Sequence, residues 1–172
     1  PEGPFPAGLI DALEALKALR AEVGEAKLIV GGDSAGGGLA AALGLLCGDQ
    51  IDGLVLLSPW LDVRVTAGSY AANAATDPMF STESASIAAE LYLQGFDPEH
   101  PLASPLLAEI AAYPPTLISV GTGEVLRDDS VLFHDKLLSA GLDSRLSAID
   151  GMEHVAVVRS LTMPGAAETF GE

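Results

Sequence analysis

Apolar residues recur at three- and four-residue spacing from Ala7 to Val23, where Leu9, Ile10, Leu13, Leu16, Leu19 and Val23 alternate with Asp11, Glu14, Lys17 and Arg20. This spacing predicts an amphipathic helix. Lys27-Leu28-Ile29-Val30 is a short apolar run ending in glycines, and Gly38 to Leu46 is rich in Ala and Leu. Together they read as a strand, a tight turn and a buried helix. Gly53 to Ser58 is a second buried strand, stopped by Pro59. Ser81 to Gln94 has helical periodicity, with Ser81 or Thr82 as its cap. A third apolar strand, Pro115 to Val120, leads into a helix from about Asp128 to Ala140 that Gly141 ends. Arg145 to Ile149 is a fourth strand of weaker apolar character. Thr66 to Pro78 and Asp97 to Pro105 remain as the irregular connections. Apolar strands alternating with helices predict a mostly parallel sheet with helices on both faces.

The 172 residues correspond to about one domain. With 49% hydrophobic residues the chain has enough apolar material for a core, which excludes intrinsic disorder. Eight Lys+Arg against 24 Asp+Glu give a formal net charge of −16. Phosphate backbones and anionic lipid surfaces are repelled by such a surface, so no nucleic-acid partner is expected. The single Cys47 cannot form an intrachain disulfide, and with three scattered histidines it cannot build the usual zinc sites. No stretch reaches the roughly 18 to 20 apolar residues of a membrane span. No export signal is visible, so the default expectation is a soluble, cytoplasmic protein.

Candidate chemistry concentrates at Gly32-Asp33-Ser34-Ala35-Gly36, between the first strand and its helix. A Gly-x-Ser-x-Gly in that setting is the pattern of a nucleophile elbow, whose strained turn presents a serine hydroxyl. Side chains at Gly32 and Gly36 are expected to crowd the turn. Phosphate-binding patterns fail here, because Ser34 replaces the second glycine of G-x-G-x-x-G and Gly36 is followed by Gly37 rather than Lys. A purely structural tight turn is the bland alternative. Partners for a serine nucleophile stand in the right chain order: Glu124 after the third strand and His154 after the fourth. All three lie at the carboxyl ends of strands, where open α/β sheets assemble their sites. His154 is then the general base and the carboxylate its orienter. His100 and His134 sit in a connection and mid-helix and read as solvated or packing residues. The acid is ambiguous. Glu124 precedes the helix and is preferred, whereas Asp128 and Asp129 fall where helix capping and the macrodipole already account for carboxylates.

With these residues in place, the chain resembles the hormone-sensitive-lipase-like branch of the α/β-hydrolase esterases. The matches are Gly32-Asp33-Ser34-Ala35-Gly36-Gly37, Ser58-Pro59-Trp60-Leu61-Asp62, Asp77-Pro78-Met79, Ser104-Pro105-Leu106, Pro114 to Asp129, and Gly151-Met152-Glu153-His154. Glu124-Val125-Leu126-Arg127-Asp128 aligns with a segment that more often begins with Asp, so Glu124 adds a methylene to the acid. The resemblance implies an α/β fold, the C-terminal portion of an α/β-hydrolase catalytic domain spanning residues 1–172. It implies a serine ester hydrolase for short- to medium-chain acyl esters that needs no cofactor and no metal. The Ala35 N–H supplies one oxyanion donor, while the family's His-Gly-Gly motif does not occur before Gly31. The chain therefore reads as a portion of a longer esterase. Two alternatives stay open: a non-catalytic small-ligand-binding protein on the same scaffold, and an inactive fragment whose open strand edges promote homo-oligomers or aggregates.

Overall fold

The structure is a computed structural model that describes residues 2–171. Four strands, β1 (Ile29–Asp33), β2 (Gly53–Leu57), β3 (Thr116–Gly121) and β4 (Ser144–Ile149), form one sheet in the order β1-β2-β3-β4. Every pairing is parallel, with Gly32 opposite Leu56, Leu56 opposite Ile118 and Ile118 opposite Leu146. The helices are α1 (Ala7–Val23), α2 (Ala35–Cys47), α3 (Gly68–Ala72), α4 (Thr82–Leu93), α5 (Arg127–Ser139), α6 (Ala156–Arg159) and α7 (Ala166–Phe170). Among the described residues no helix is long and apolar enough to cross a membrane.

Alternate residues of a strand face opposite sides of a sheet. Leu54, Leu56 and Ile118 are buried in the main core, together with Ala40, Ala41 and Leu43 of α2 and Phe133 and Leu137 of α5. A smaller cluster of Met152, Ala156 and Ala166 packs with Ile149. Between these two clusters the Ser119 and Thr169 hydroxyls meet at 2.7 Å. Helices thus flank both faces, as the periodicity predicts. Ile29 at the edge strand is 57% exposed.

The element boundaries differ from the sequence expectation in instructive ways. β1 runs on through Gly31 and Gly32 to Asp33, and α2 begins at once with Ala35 rather than at Gly38. The parallel ladder to β2 overrides the weak strand preference of glycine, since Gly31 and Gly32 pair with Val55 and Leu56. The connection from Thr66 to Pro78 contains the short helix α3. Ser81 caps α4 in a capping box with Ser84.

Candidate active site

The chain turns from β1 into α2 within one residue, and Ser34 sits at that turn with φ 53 and ψ −121. Such a conformation is costly for a residue with a Cβ and persists only where the surroundings fix it. Here Ser34 N–H donates to Leu57 O at 2.9 Å, and Ser34 O accepts from Trp60 N–H at 2.9 Å. The neighbouring β2 end therefore clamps the turn on both sides. A Cβ at Gly32 would lie 2.2 Å from Gly36 O, so glycine is required there. Gly36 corrects the sequence expectation, because a Cβ on it would meet nothing within 4 Å. The crowding falls instead on Gly37 and Gly38, whose added Cβ atoms would lie 2.7 Å from Pro59 Cβ and 2.5 Å from Trp60 O. The glycine run lets the start of α2 pack directly on the Pro59-Trp60 backbone.

Ser34, His154 and Glu124 meet at the carboxyl ends of β1, β4 and β3. The Ser34 Oγ lies 2.9 Å from His154 Nε2, and His154 Nδ1 lies 2.7 Å from Glu124 Oε2. A carboxylate only accepts, so Nδ1–H donates to Glu124 and Nε2 is left to accept from the serine hydroxyl. His154 is 3% exposed and Glu124 1%. The buried carboxylate is fully engaged: its Oε1 accepts from Ser58 Oγ–H at 2.8 Å and from Gly121 N–H at 2.6 Å. Ser58, itself at φ 46, also accepts from Val155 N–H at 3.2 Å, which ties the acid to the residue after the histidine. Phe80 packs on the imidazole with ring centroids 5.1 Å apart. Gly121 has to be glycine, since a Cβ there would lie 1.9 Å from Met152 O.

The remaining sequence candidates lie apart from this chain of contacts. Asp128 accepts from Ser69 N–H at 2.8 Å and pairs with Arg127 at 2.7 Å. His134 Nδ1 lies 2.8 Å from Ser144 Oγ, and His100 packs against Phe5 and Phe96. Ala35 opens α2, where first-turn amides lack an intrahelical acceptor, and it lines an apolar cavity of about 340 Å³ with Trp60, Val63 and Tyr92. Sequence reasoning assigns no role to Ser58, Phe80 or Gly121, although Ser58 and Gly121 lie within the segments that carry the family resemblance. Among the described residues no cluster of three or more His, Cys, Asp or Glu side chains is arranged to hold a metal ion.

Asp129 has a structural task. Its Oδ2 accepts from Leu61 N–H at 2.8 Å and Asp62 N–H at 3.0 Å, joining α5 to the loop after β2. Burial pushes its carboxyl up to about 7, against the pull of those two amides and with help from the charges of Asp62 and Asp128. A carboxyl that binds its proton more tightly when folded stabilises the fold fully below its unfolded value, and that contribution is lost as pH rises through about 7. From roughly pH 4 to 7 this group lowers the unfolding free energy by up to ~1.4 kcal/mol per pH unit. Asp129→Asn is expected to remove that slope from urea unfolding curves measured at pH 5, 6, 7 and 8. Parallel pH dependences for the two proteins would refute the assignment.

The family model of the α/β-hydrolase fold matches residues 1–158. The chain belongs to that family. An esterase structure from the bacterial hormone-sensitive lipase family superposes with TM-score 0.92 at 37% identity, covering 98% of this chain and 58% of the other. The hormone-sensitive-lipase homologue EstE7 from a metagenome library gives TM-score 0.92 at 34% identity, with 98% and 60% covered. An acetyl-hydrolase of Streptomyces hygroscopicus is 38% identical over 160 residues, 90% of this chain and 54% of that protein. An esterase of Acinetobacter venetianus is 34% identical over 158 residues, 88% of this chain and 52% of its own length. The chain spans about half the length of the curated relatives that it matches.

Proposed function

We propose that this chain carries the catalytic triad of a serine carboxylic-ester hydrolase acting on short- to medium-chain acyl esters. The observation that supports the reading is the unbroken hydrogen-bond sequence from Ser34 Oγ through the imidazole to the Glu124 carboxylate. The esterase and acetyl-hydrolase names of the relatives agree with it. In the acylation step Ser34 Oγ attacks the acyl carbonyl carbon while His154 Nε2 takes the hydroxyl proton. The tetrahedral oxyanion then collapses, the ester C–O bond breaks, and His154 returns the proton to the departing alcohol. In deacylation a water gives its proton to His154 and its oxygen to the acyl carbon, releasing the carboxylic acid and restoring Ser34. Glu124 holds the imidazole tautomer and stabilises the imidazolium formed in each half-reaction. On this reading Ala35 N–H, the amide that follows the nucleophile, donates to the oxyanion. The apolar cavity beside Ala35 suits a short hydrocarbon chain better than a charged group.

Exposure to a fluorophosphonate followed by intact-mass measurement tests the reading. One adduct per chain is expected, absent from the Ser34→Ala variant. An adduct that persists in that variant would remove Ser34 from the role of nucleophile.

A further inference from the structure

The acid loop after β3 belongs to no helix or strand, so its backbone polar groups need partners from elsewhere. Two of its amides find backbone carbonyls, Thr122 N–H donating to Ile149 O and Glu124 N–H to Gly121 O, whereas the side chains that meet its carbonyls come from one segment, residues 69–77, in the connection between β2 and α4. Asn73 Nδ2–H donates to Thr122 O at 3.0 Å and to Glu124 O at 2.7 Å. Thr76 Oγ1–H donates to Gly123 O at 2.9 Å, and Ser69 Oγ–H to Val125 O at 2.5 Å. Four consecutive carbonyls, from Thr122 to Val125, are thus held by side chains of that segment. The Val125 N–H in turn donates to Asp77 Oδ2 at 2.9 Å.

Asp77 differs from the other members of this grip because its second oxygen serves the histidine side of the site. Asp77 Oδ1 accepts from Met79 N–H at 2.8 Å and Phe80 N–H at 3.0 Å. Those bonds fix the turn that sets Phe80 against the His154 ring. An ordinary Asp turn accounts for Oδ1 alone. It leaves unexplained why Oδ2 reaches 48 residues along the chain to the amide that follows Glu124. One buried carboxylate, 9% exposed, therefore spans the loop that bears the acid and the residue that packs on the base.

We propose that Asp77 is a positioning residue, seconded by Asn73, that sets the distance and angle between Glu124 and His154. The proposal rests on the reading of Glu124 and His154 as acid and base. The physical need for such a device is clear. Glutamate has one more rotatable bond than aspartate, so a carboxylate at the end of that longer arm stays in line with the imidazole only if the backbone that carries it cannot shift. Ser58 and Gly121 fix the carboxylate end of Glu124. The segment from Ser69 to Asp77 fixes the backbone end.

The test compares Asp77→Ala, Asp77→Asn and Glu124→Gln in the full chain with two readouts. The first is kcat and KM for p-nitrophenyl butyrate. The second is the far-downfield proton resonance of the His154 Nδ1–H, which reports the Glu124 contact whether or not turnover is measurable. A misplacement of about 1 Å can cost ~10²-fold. Asp77→Ala is accordingly expected to lower kcat by roughly 10- to 100-fold, leave KM within about threefold, and weaken or remove the resonance. Asp77→Asn keeps one acceptor oxygen and the side-chain size, so an intermediate loss is expected. It also decides the matter if the alanine variant fails to fold. Should Glu124→Gln lose the rate and the resonance while the folded Asp77 variants retain both, Asp77 is not a positioning residue and the triad reading stands. Should Glu124→Gln itself retain both, the triad reading falls and this proposal with it.

Discussion

A Ser34→Ala variant is expected to lose ester hydrolysis by at least ~10⁴-fold while keeping its fold, because it removes the atom that would bond to the acyl carbon and nothing else of consequence. The stability half of that expectation follows from the turn itself. Its clamps are backbone bonds, Ser34 N–H to Leu57 O and Trp60 N–H to Ser34 O, and alanine makes both. Alanine at φ 53 is strained as serine is, so the substitution neither relieves nor adds backbone cost. What disappears is the hydroxyl that lies 2.9 Å from His154 Nε2. On the proposed mechanism no acyl-enzyme then forms, and the residual rate reflects only substrate binding and oxyanion donors acting on water. Hydrolysis of p-nitrophenyl butyrate, corrected for the spontaneous rate, measures the loss, and thermal unfolding measures the fold. A rate within tenfold of the parent, from a protein with an unchanged melting temperature, would mean that hydrolysis does not proceed through Ser34.

How much of this was legible before the structure depends on what each part rests on. The four strands could be read because buried parallel strands are continuous apolar runs, as in Gly53 to Leu57 and Thr116 to Val120. The end of β1 was not legible. Gly31, Gly32 and Asp33 have poor strand preference, and only the ladder to β2 makes them extended. Ser34, Glu124 and His154, which the structure brings into contact, could be picked out as candidates because their chemistry and their order along the chain both carry information. The roles of Ser58, Asn73, Asp77 and Phe80 could not, although Ser58 and Asp77 stand in segments that carry the family resemblance, because each acts through a contact with a residue 48 or more positions away. Gly36 shows the opposite failure, since the motif makes it look obligatory whereas the packing places the demand on Gly37 and Gly38. Asp128 and Glu124 are close in sequence and alike in chemistry, and only their surroundings separate them.

That separation supports a ranking of two variants. Glu124 accepts three hydrogen bonds, from Ser58 Oγ–H, Gly121 N–H and His154 Nδ1–H. Glutamine can keep the acceptor toward Ser58 and Gly121, but its amide group then faces Nδ1 as a donor. The imidazole must answer by accepting at Nδ1, which moves its proton to Nε2 and blocks the nitrogen that should receive the serine proton. An acid-to-amide change of this kind costs about 10⁴ in kcat. If the amide turns the other way, its donor meets the Gly121 N–H in a fully buried site, and stability falls instead. Asp128→Asn meets neither conflict. An asparagine oxygen still accepts from Ser69 N–H, and the partly exposed pair with Arg127 is worth at most ~1 kcal/mol. Its kcat/KM is therefore expected to stay within roughly tenfold of the parent, against the ~10⁴-fold loss for Glu124→Gln. Measured side by side on one ester at one pH, the reverse ranking would transfer the acid's role to Asp128. Equal and small effects would mean that the histidine needs no carboxylate from this loop.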